Sequence, residues 1–207
     1  MQDGVYRQLC RLILEGGLAP GESITVAKLA DAFGVSPMPV REALARLTNV
    51  GALTTVSGRT VGIPALSRER LIDLRRVRLD VETTATRWAI EQSGEDLPSG
   101  LDERLAKLSE AEAREDTQSY VSANYDFHFA IYRAAGSPLM LSFIETLWLQ
   151  ISPFFHLLRT SGNYRFSNIQ HEAIRNAIHE RDTDAAVAAL TADIEGAYQA
   201  LLAILQD

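Results

Sequence analysis

The sequence predicts a mainly α-helical chain: an N-terminal winged helix-turn-helix followed by a C-terminal antiparallel all-α bundle of about six helices. Three observations carry that expectation. The stretch Gly34-Val-Ser-Pro-Met-Pro-Val-Arg-Glu-Ala-Leu-Ala-Arg-Leu47 has the turn, cap and apolar stripe of a short helix entered from a tight turn. Two β-branched runs, residues 53–56 and 60–63, follow it. From residue 67 onward strand signals stop and apolar residues recur at helical spacing.

Taken in order, residues 5–15 read as a first helix with Leu9, Leu12 and Ile13 on its buried stripe. Gly16-Gly17 stops it, and Pro20-Gly21 makes a turn. Residues 27–33 form a short second helix, joined to the third through Gly34-Val35. Gly34 supplies the φ > 0 conformation that side chains resist, Ser36 is placed to cap the third helix, and Pro37 suits its first position. Val40, Leu44 and Leu47 fall on one face of that helix, with Met38, Arg41, Ala45 and Asn49 opposite. Surface helices usually carry several outward charges. Small residues and one arginine suit a face that another molecule approaches closely. Gly51 ends the helix, and the two β-branched runs pair around Ser57-Gly58-Arg59. Three helices and a hairpin make a winged helix, which sets one helix into the major groove of DNA. A small helical domain with an unrelated hairpin is the alternative; order, spacing and cap chemistry favour DNA binding.

Leu18-Ala-Pro-Gly-Glu22, Leu29-Ala-Asp-Ala-Phe-Gly-Val-Ser36 and Pro39-Val-Arg-Glu-Ala-Leu44 together resemble the reading head of GntR-family transcription regulators, over about residues 4 to 66. That resemblance implies DNA contacts from Ser36 at the helix start, Arg41 within it and Gly58 at the wing tip. Many members carry an arginine directly after the serine; here Pro37 stands there, so a guanidinium able to take a guanine edge bidentately is absent. Arg46 lies nearer the flank of the same helix, suited either to a phosphate or to solvent. Arg59, with Thr60, is placed for the backbone or minor groove.

Residues 1–66 hold six Lys/Arg and five Asp/Glu, a net charge of +1, whereas the remainder carries −8 of the overall −7. A non-specific polyanion binder would need a broad basic field. Specific recognition by a near-neutral head remains compatible, helped by doubling the contacts in a dimer. The 207 residues suit a reading head at 1–66 and a helical domain at 67–207, divided near Pro64-Ala-Leu-Ser67. The single cysteine, Cys10, excludes an intramolecular disulfide and fits a reducing cytoplasm. No signal-peptide run and no stretch of 18 uninterrupted apolar residues is found, so no membrane partner is expected.

The bundle helices are expected at residues 68–92, 98–114, 117–135, 138–160, 168–180 and 183–205, with Pro153 kinking the fourth. Polar residues interrupt their apolar stripes. Tyr120, Asn124, Phe127, His128, Ile131 and Ala135 share one face; His171, Ile174 and Ile178 share another; Ala186, Leu190, Asp193, Ala197 and Leu201 share a third. An unpaired inward carboxylate costs on the order of 3–5 kcal/mol, so Asp193 needs a partner. Asn124 and His128, one turn apart, could hold one ion with His171 and Asp193, a set that suits zinc, nickel or another divalent transition metal. The alternative is four hydrogen-bonded core groups. Asp126 points to another face.

Asn124-Tyr-Asp-Phe-His128, Ala134-Ala-Gly-Ser-Pro-Leu139 and His171-Glu-Ala-Ile-Arg-Asn-Ala-Ile178 with Arg181-Asp182 resemble the FCD effector domain of the FadR-like GntR subgroup. Many FCD domains hold a divalent metal through an Asp or Asn, a His four residues on and two later histidines. By position these are Asn124, His128 and His171, with Asp193 where the last histidine usually stands; Asn124 could instead contact effector or water. Arg78 lies inward, in register with Leu71, Leu74, Val81 and Ala85, and needs a carboxylate. Glu82 one turn on could supply it, or a ligand; the resemblance implies a small carboxylate effector bridging metal and Arg78. His156 reads as packing, and His179 precedes a charged turn. The chain is thus expected to be a homodimeric regulator of operator DNA, a repressor rather than an enzyme. Inward His, His and Asp could also activate water on a metal, but no HExxH pair or nucleophile elbow accompanies them, and an enzyme would leave the reading head without purpose. An effector-independent DNA-binding dimer is the third possibility.

Overall fold

The computed structural model describes residues 2–57, 60–92 and 96–205. The chain opens with helix α1 (Gln2–Leu14), whose Val5, Leu9, Ile13 and Leu14 are buried while Leu12 is only partly covered. A short strand β1 (Ser23–Thr25) then leads into α2 (Val26–Phe33), where the Thr25 hydroxyl accepts the Lys28 amide at 3.3 Å. Gly34 ends α2 at φ 63°, its amide reaching back to Ala30 and Asp31 carbonyls. Helix α3 (Pro37–Asn49) buries Val40, Ala43, Leu44 and Leu47 against α1 and α2. Ser36 takes the N-cap position, but its side chain makes no cap hydrogen bond. The expected side-chain cap is therefore corrected: Pro37 presets the first turn without it.

Strands β2 (Thr54–Ser57) and β3 (Thr60–Gly62) form the antiparallel wing hairpin, with a register shift between Thr55 and Ser57. The sheet order is β1-β3-β2, so the sheet gains a third strand that sequence reading missed. Residues 63–67 are irregular, and α4 (Arg68–Gln92) begins directly after them.

The remaining helices are α5 (Asp96–Ala113), α6 (Thr117–Ala134), α7 (Pro138–Ile151), α8 (Asn163–His179) and α9 (Thr183–Ile204). Asp116, Ser137 and Asp182 cap α6, α7 and α9 through side-chain oxygens, each worth about 1 kcal/mol. The expected kinked helix over residues 138–160 is corrected. The α-helix ends at Ile151 and the chain tightens into a 3-10 segment, Ser152–Arg159. Pro153 lacks the amide hydrogen an α-turn would use, and its ring crowds the carbonyl one turn back. Helix α8 also starts five residues earlier than the expected residue 168, after Gly162 at φ 74°.

Helix α9 is long and apolar enough, by length and composition alone, to cross a membrane. It packs instead along α8 and α4, burying Ala186, Leu190, Asp193 and Leu201.

The 3-10 segment also ties the bundle to α1. His156 Nε2 donates to the Gly16 carbonyl at 2.6 Å, Ser152 Oγ donates to that of Ile13 at 3.3 Å, and Gln118 donates to that of Glu15. These bonds satisfy carbonyls at and just beyond the end of α1, which have no partner within the helix. A Cβ at Gly16, itself at φ 77°, would stand 2.7 Å from His156 Nε2 and 2.9 Å from Val121 Cγ1, so glycine permits the contact. Expected only to pack, His156 is thus a hydrogen-bonding link. From α4, Arg70 donates to the Gly51 carbonyl at 2.5 Å and to Gln150 at 3.1 Å, holding the end of α3.

Candidate functional sites in the reading head and the bundle

The outer face of α3 is the one the sequence marked. Met38 is 62% exposed, and Arg41, Ala45 and Asn49 lie open beside it. A groove between α3 and the sheet is lined by Val26, Arg41, Ala45, Asn49, Thr55 and Val61. Exposed Ser36 stands at the start of α3, where Pro37 and Pro39 have no N–H and Met38 alone of the first three helical residues has an amide to offer a phosphate oxygen. Arg46 takes a different position: its guanidinium stacks 3.7 Å from the Tyr6 ring centroid, on the α1 side. Gly58 and Arg59 lie outside the described residues.

Inside the bundle, His128 on α6, His171 on α8 and Asp193 on α9 converge. Their Nε2 atoms are 3.0 Å apart, and Asp193 Oδ2 stands 3.3 Å from His128 Nε2 and 3.7 Å from His171 Nε2. Two donors bound at about 2.0–2.1 Å to one tetrahedral ion stand about 3.3–3.4 Å apart, so the three atoms have the spacing of ligands to one metal. Ser167 donates to the other carboxylate oxygen, turning Oδ2 toward the imidazoles. Burial alone would raise the Asp193 carboxyl; the neighbouring imidazoles, His171 foremost and His128 with it, outweigh that and hold the group below the ordinary carboxylate range. Burial, with the repulsion of His171, pushes His128 below an ordinary imidazole despite Asp193.

A second chain of polar groups supports His128. Tyr132 donates its hydroxyl to Glu82 Oε2 at 2.5 Å, and the Tyr132 hydroxyl oxygen lies 3.3 Å from His128 Nδ1. Glu82 is fully buried and binds Arg78 twice, at 2.6 Å (Nε) and 3.3 Å (Nη2). Burial acts to lower the Arg78 pKa, but Glu82 more than offsets it and the guanidinium stays charged. The internal pair, one of the two expected partners, is therefore present. It engages two of the five guanidinium N–H groups.

Arg78, Asn124, His128 and Asp193 line one cavity with Tyr120, Val121, Trp148, Phe155, Leu158 and Ser167. Its volume is about 20 Å³, room for a water or an ion. Asn124 is brought to the cavity wall one turn before His128; Asp126 stays outside. Sequence reading missed Ser167, Tyr132 and Trp148. The Trp148 indole N–H and His171 Nδ1 are buried without hydrogen-bond partners.

Comparison with known proteins agrees with this two-part layout. Residues 1–63 match the model of bacterial regulatory proteins of the gntR family, and residues 73–196 match the FCD domain. The chain is 31% identical over 192 residues to the HTH-type transcriptional regulator McbR of Escherichia coli (strain K12), covering 92% of this chain and 83% of that protein. It is 25% identical over 187 residues to the HTH-type transcriptional repressor GlaR of the same strain, covering 86% and 85%. The solved structure of E. coli McbR/YncC superposes with a TM-score of 0.85 at 27% identity, over 99% of this chain and 96% of that one. A GntR regulator structure from Rhodococcus sp. RHA1 shares the fold, with a TM-score of 0.77 at 24% identity over 98% and 97%. The chain therefore belongs to the gntR family of bacterial regulatory proteins, as a DNA-binding transcription regulator with a C-terminal FCD domain.

Proposed function

We propose that this regulator is a homodimeric repressor that reads a two-fold-related operator in the cytoplasm. Ser36, Arg41, Arg46 and the wing residues Gly58 and Arg59 contact the DNA, as closed dimer symmetry and winged-helix docking suggest. His128, His171 and Asp193, with Asn124 beside them, hold a divalent transition metal, zinc or nickel, and Arg78 helps recruit a small carboxylate effector. When bound, the metal supplies a Lewis-acid anchor for a ligand oxygen. Arg78 offers its remaining N–H groups to the carboxylate and fixes its orientation. The observation that carries this reading is the buried His-His-Asp set, of which His128 and Asp193 line one cavity together with a charged arginine. GlaR, a relative, is named a repressor, which supports the sign of regulation.

The response travels through the cavity wall. An effector larger than a water must move a side of so small a cavity. Phe155 and Leu158 form part of it, and Ser152 and His156 of the same 3-10 segment grip the end of α1. Binding shifts the reading heads only as far as the effector prefers one arrangement over the other.

The test starts with elemental analysis before and after chelation. It continues with fluorescence anisotropy on a duplex selected from random DNA, titrated with zinc or nickel and a panel of C2–C6 carboxylates. Stoichiometric metal, lost in His128→Ala/His171→Ala with helical circular dichroism retained, is expected, together with at least tenfold weaker DNA binding for one carboxylate. Metal that stays stoichiometric in that variant refutes the site. Carboxylates that bind without altering DNA affinity refute the coupling.

A further inference from the structure

We infer that Tyr132 is a positioning residue that holds His128 in the tautomer with its proton on Nδ1, so that the fold itself turns a bare Nε2 lone pair toward His171 and Asp193. This deepens the proposed metal site and rests on it for its purpose, but the tautomer belongs to the metal-free chain.

Proton accounting around Tyr132 selects the tautomer. A tyrosine hydroxyl has a single hydrogen to give. Two acceptors compete for the one on Tyr132: a fully buried carboxylate oxygen at 2.5 Å and an imidazole nitrogen at 3.3 Å. The carboxylate is both nearer and the stronger acceptor. Arg78 binds both Glu82 oxygens, at 2.6 and 3.3 Å, and so holds that carboxylate in place. With its hydrogen committed to Glu82, the Tyr132 oxygen meets His128 Nδ1 only as an acceptor. Asp193 Oδ2 stands 3.3 Å from Nε2 and competes for the ring hydrogen, but a hydrogen there would leave Nδ1 and the Tyr132 oxygen facing each other with lone pairs alone; Nδ1 therefore carries it, and in a neutral imidazole Nε2 is then bare. The four groups Arg78, Glu82, Tyr132 and His128 form one directed chain from α4 to α6.

That chain fixes one ligand only. His171 Nδ1 is buried with no partner, so nothing on its far side selects a tautomer. In the metal-free chain the hydrogen between the two rings, 3.0 Å apart, must then come from His171 Nε2. A carboxylate–hydroxyl chain behind a ligating imidazole orients the ring and raises its basicity, and losing such support costs about ten- to a hundredfold in metal affinity. Tyr132, one turn on along α6, and Glu82 from α4 give His128 that support.

Two readouts test this. Long-range 1H–15N spectra of 15N-histidine-labelled, chelator-treated protein, with His128 assigned through His128→Gln, should show the Nδ1–H tautomer in the parent chain. The preference should be lost in Tyr132→Phe. An Nε2–H tautomer in the parent chain overturns the inference, whatever the metal result. Zinc affinity, measured by competition with a chromophoric chelator, should fall about ten- to a hundredfold in Tyr132→Phe. It should change less than about twofold in Tyr125→Phe, a neighbouring hydroxyl that binds Arg133 instead. Equal zinc affinity in Tyr132→Phe and the parent chain overturns the positioning role. If the parent chain binds no zinc, the metal reading falls and the tautomer spectrum alone decides this one.

Discussion

Removing the charge of Arg78 should unfold a large part of what holds the bundle. The Arg78–Glu82 side chains are 6% and 0% exposed and joined at 2.6 Å. Arg78→Met keeps the length of the side chain but leaves the Glu82 carboxylate in a dry interior with one remaining side-chain donor, Tyr132. Breaking a buried pair from one side costs about 3–5 kcal/mol, roughly a fifth or more of the ~5–15 kcal/mol that stabilises a typical protein. Glu82→Leu should cost about as much, because it strands the guanidinium. The double variant Arg78→Met/Glu82→Leu removes both charges and leaves only the Tyr132 hydroxyl without its acceptor, about 1–3 kcal/mol. Adding Tyr132→Phe should recover most of that. The coupling energy of the cycle is then at least about 3 kcal/mol. Urea unfolding followed by far-UV circular dichroism reads it, at fixed protomer concentration because the proposed dimer would link folding to assembly. An unchanged slope with denaturant checks that the comparison is fair. A loss below about 1 kcal/mol in Arg78→Met would mean that water reaches the pair, and single-variant losses that simply add in the double would mean the two side chains act independently.

Other changes separate the reading head from the bundle. Arg41→Ala should weaken binding to a selected operator by about 1–3 kcal/mol, roughly tenfold or more, while metal content and unfolding midpoint stay put; an equal loss of stability would mean a folding defect. His156→Ala should cost about 1 kcal/mol and speed amide exchange in the last turn of α1, and unchanged exchange there would deny the link to Gly16. In chelator-treated protein, stability should fall as pH drops below about 6.5. The unfolded imidazole of His128 then takes up a proton that the buried one, held below its ordinary value, does not. Asp193, also held down, adds a further loss below about pH 4, where the unfolded carboxyl protonates first. His128→Gln should flatten the upper part of that profile in urea titrations from pH 7 to 5.5, and an unaltered slope would assign it to another group.

Local chemistry made most of the fold legible. The expected bounds of α4 coincide with Arg68–Gln92, and α3 begins where Ser36 and Pro37 place its start. Both signals act within one turn. What failed needed a partner far along the chain. Strand β1 is only Ser23-Ile-Thr25, too short for an alternating pattern; it is a strand because Ile24 pairs with Val61. Pro153 announced a break, but a proline inside an apolar run can kink a helix or end it, and the packing of Phe154 and Phe155 into the core decides for the 3-10 turn.

The site divides along the same physical line. Helical periodicity shows which residues share a face, so Asn124, His128, His171, Asp193 and Arg78 were all expected inward, and all five are buried. It also placed Glu82 one turn from Arg78, within reach of the pair that forms. Periodicity says nothing about which face of one helix meets which face of another, and there the reading stopped. Ser167 was lost for a different reason: starting α8 at residue 168 left it in a loop, whereas the helix begins at Asn163 and points its hydroxyl at Asp193. Tyr132 was within reach of the same rule that found Asn124, since it stands one turn after His128 as Asn124 stands one turn before. An aromatic ring in an apolar stripe reads as packing, and only the 2.5 Å bond to a carboxylate on α4 shows that its hydroxyl has a use. A buried tyrosine at i+4 from an inward histidine, with an inward Glu on a neighbouring helix, is therefore a pattern that can be sought in sequence. Its physical content is a carboxylate that takes the tyrosine hydrogen and leaves the histidine to supply the other.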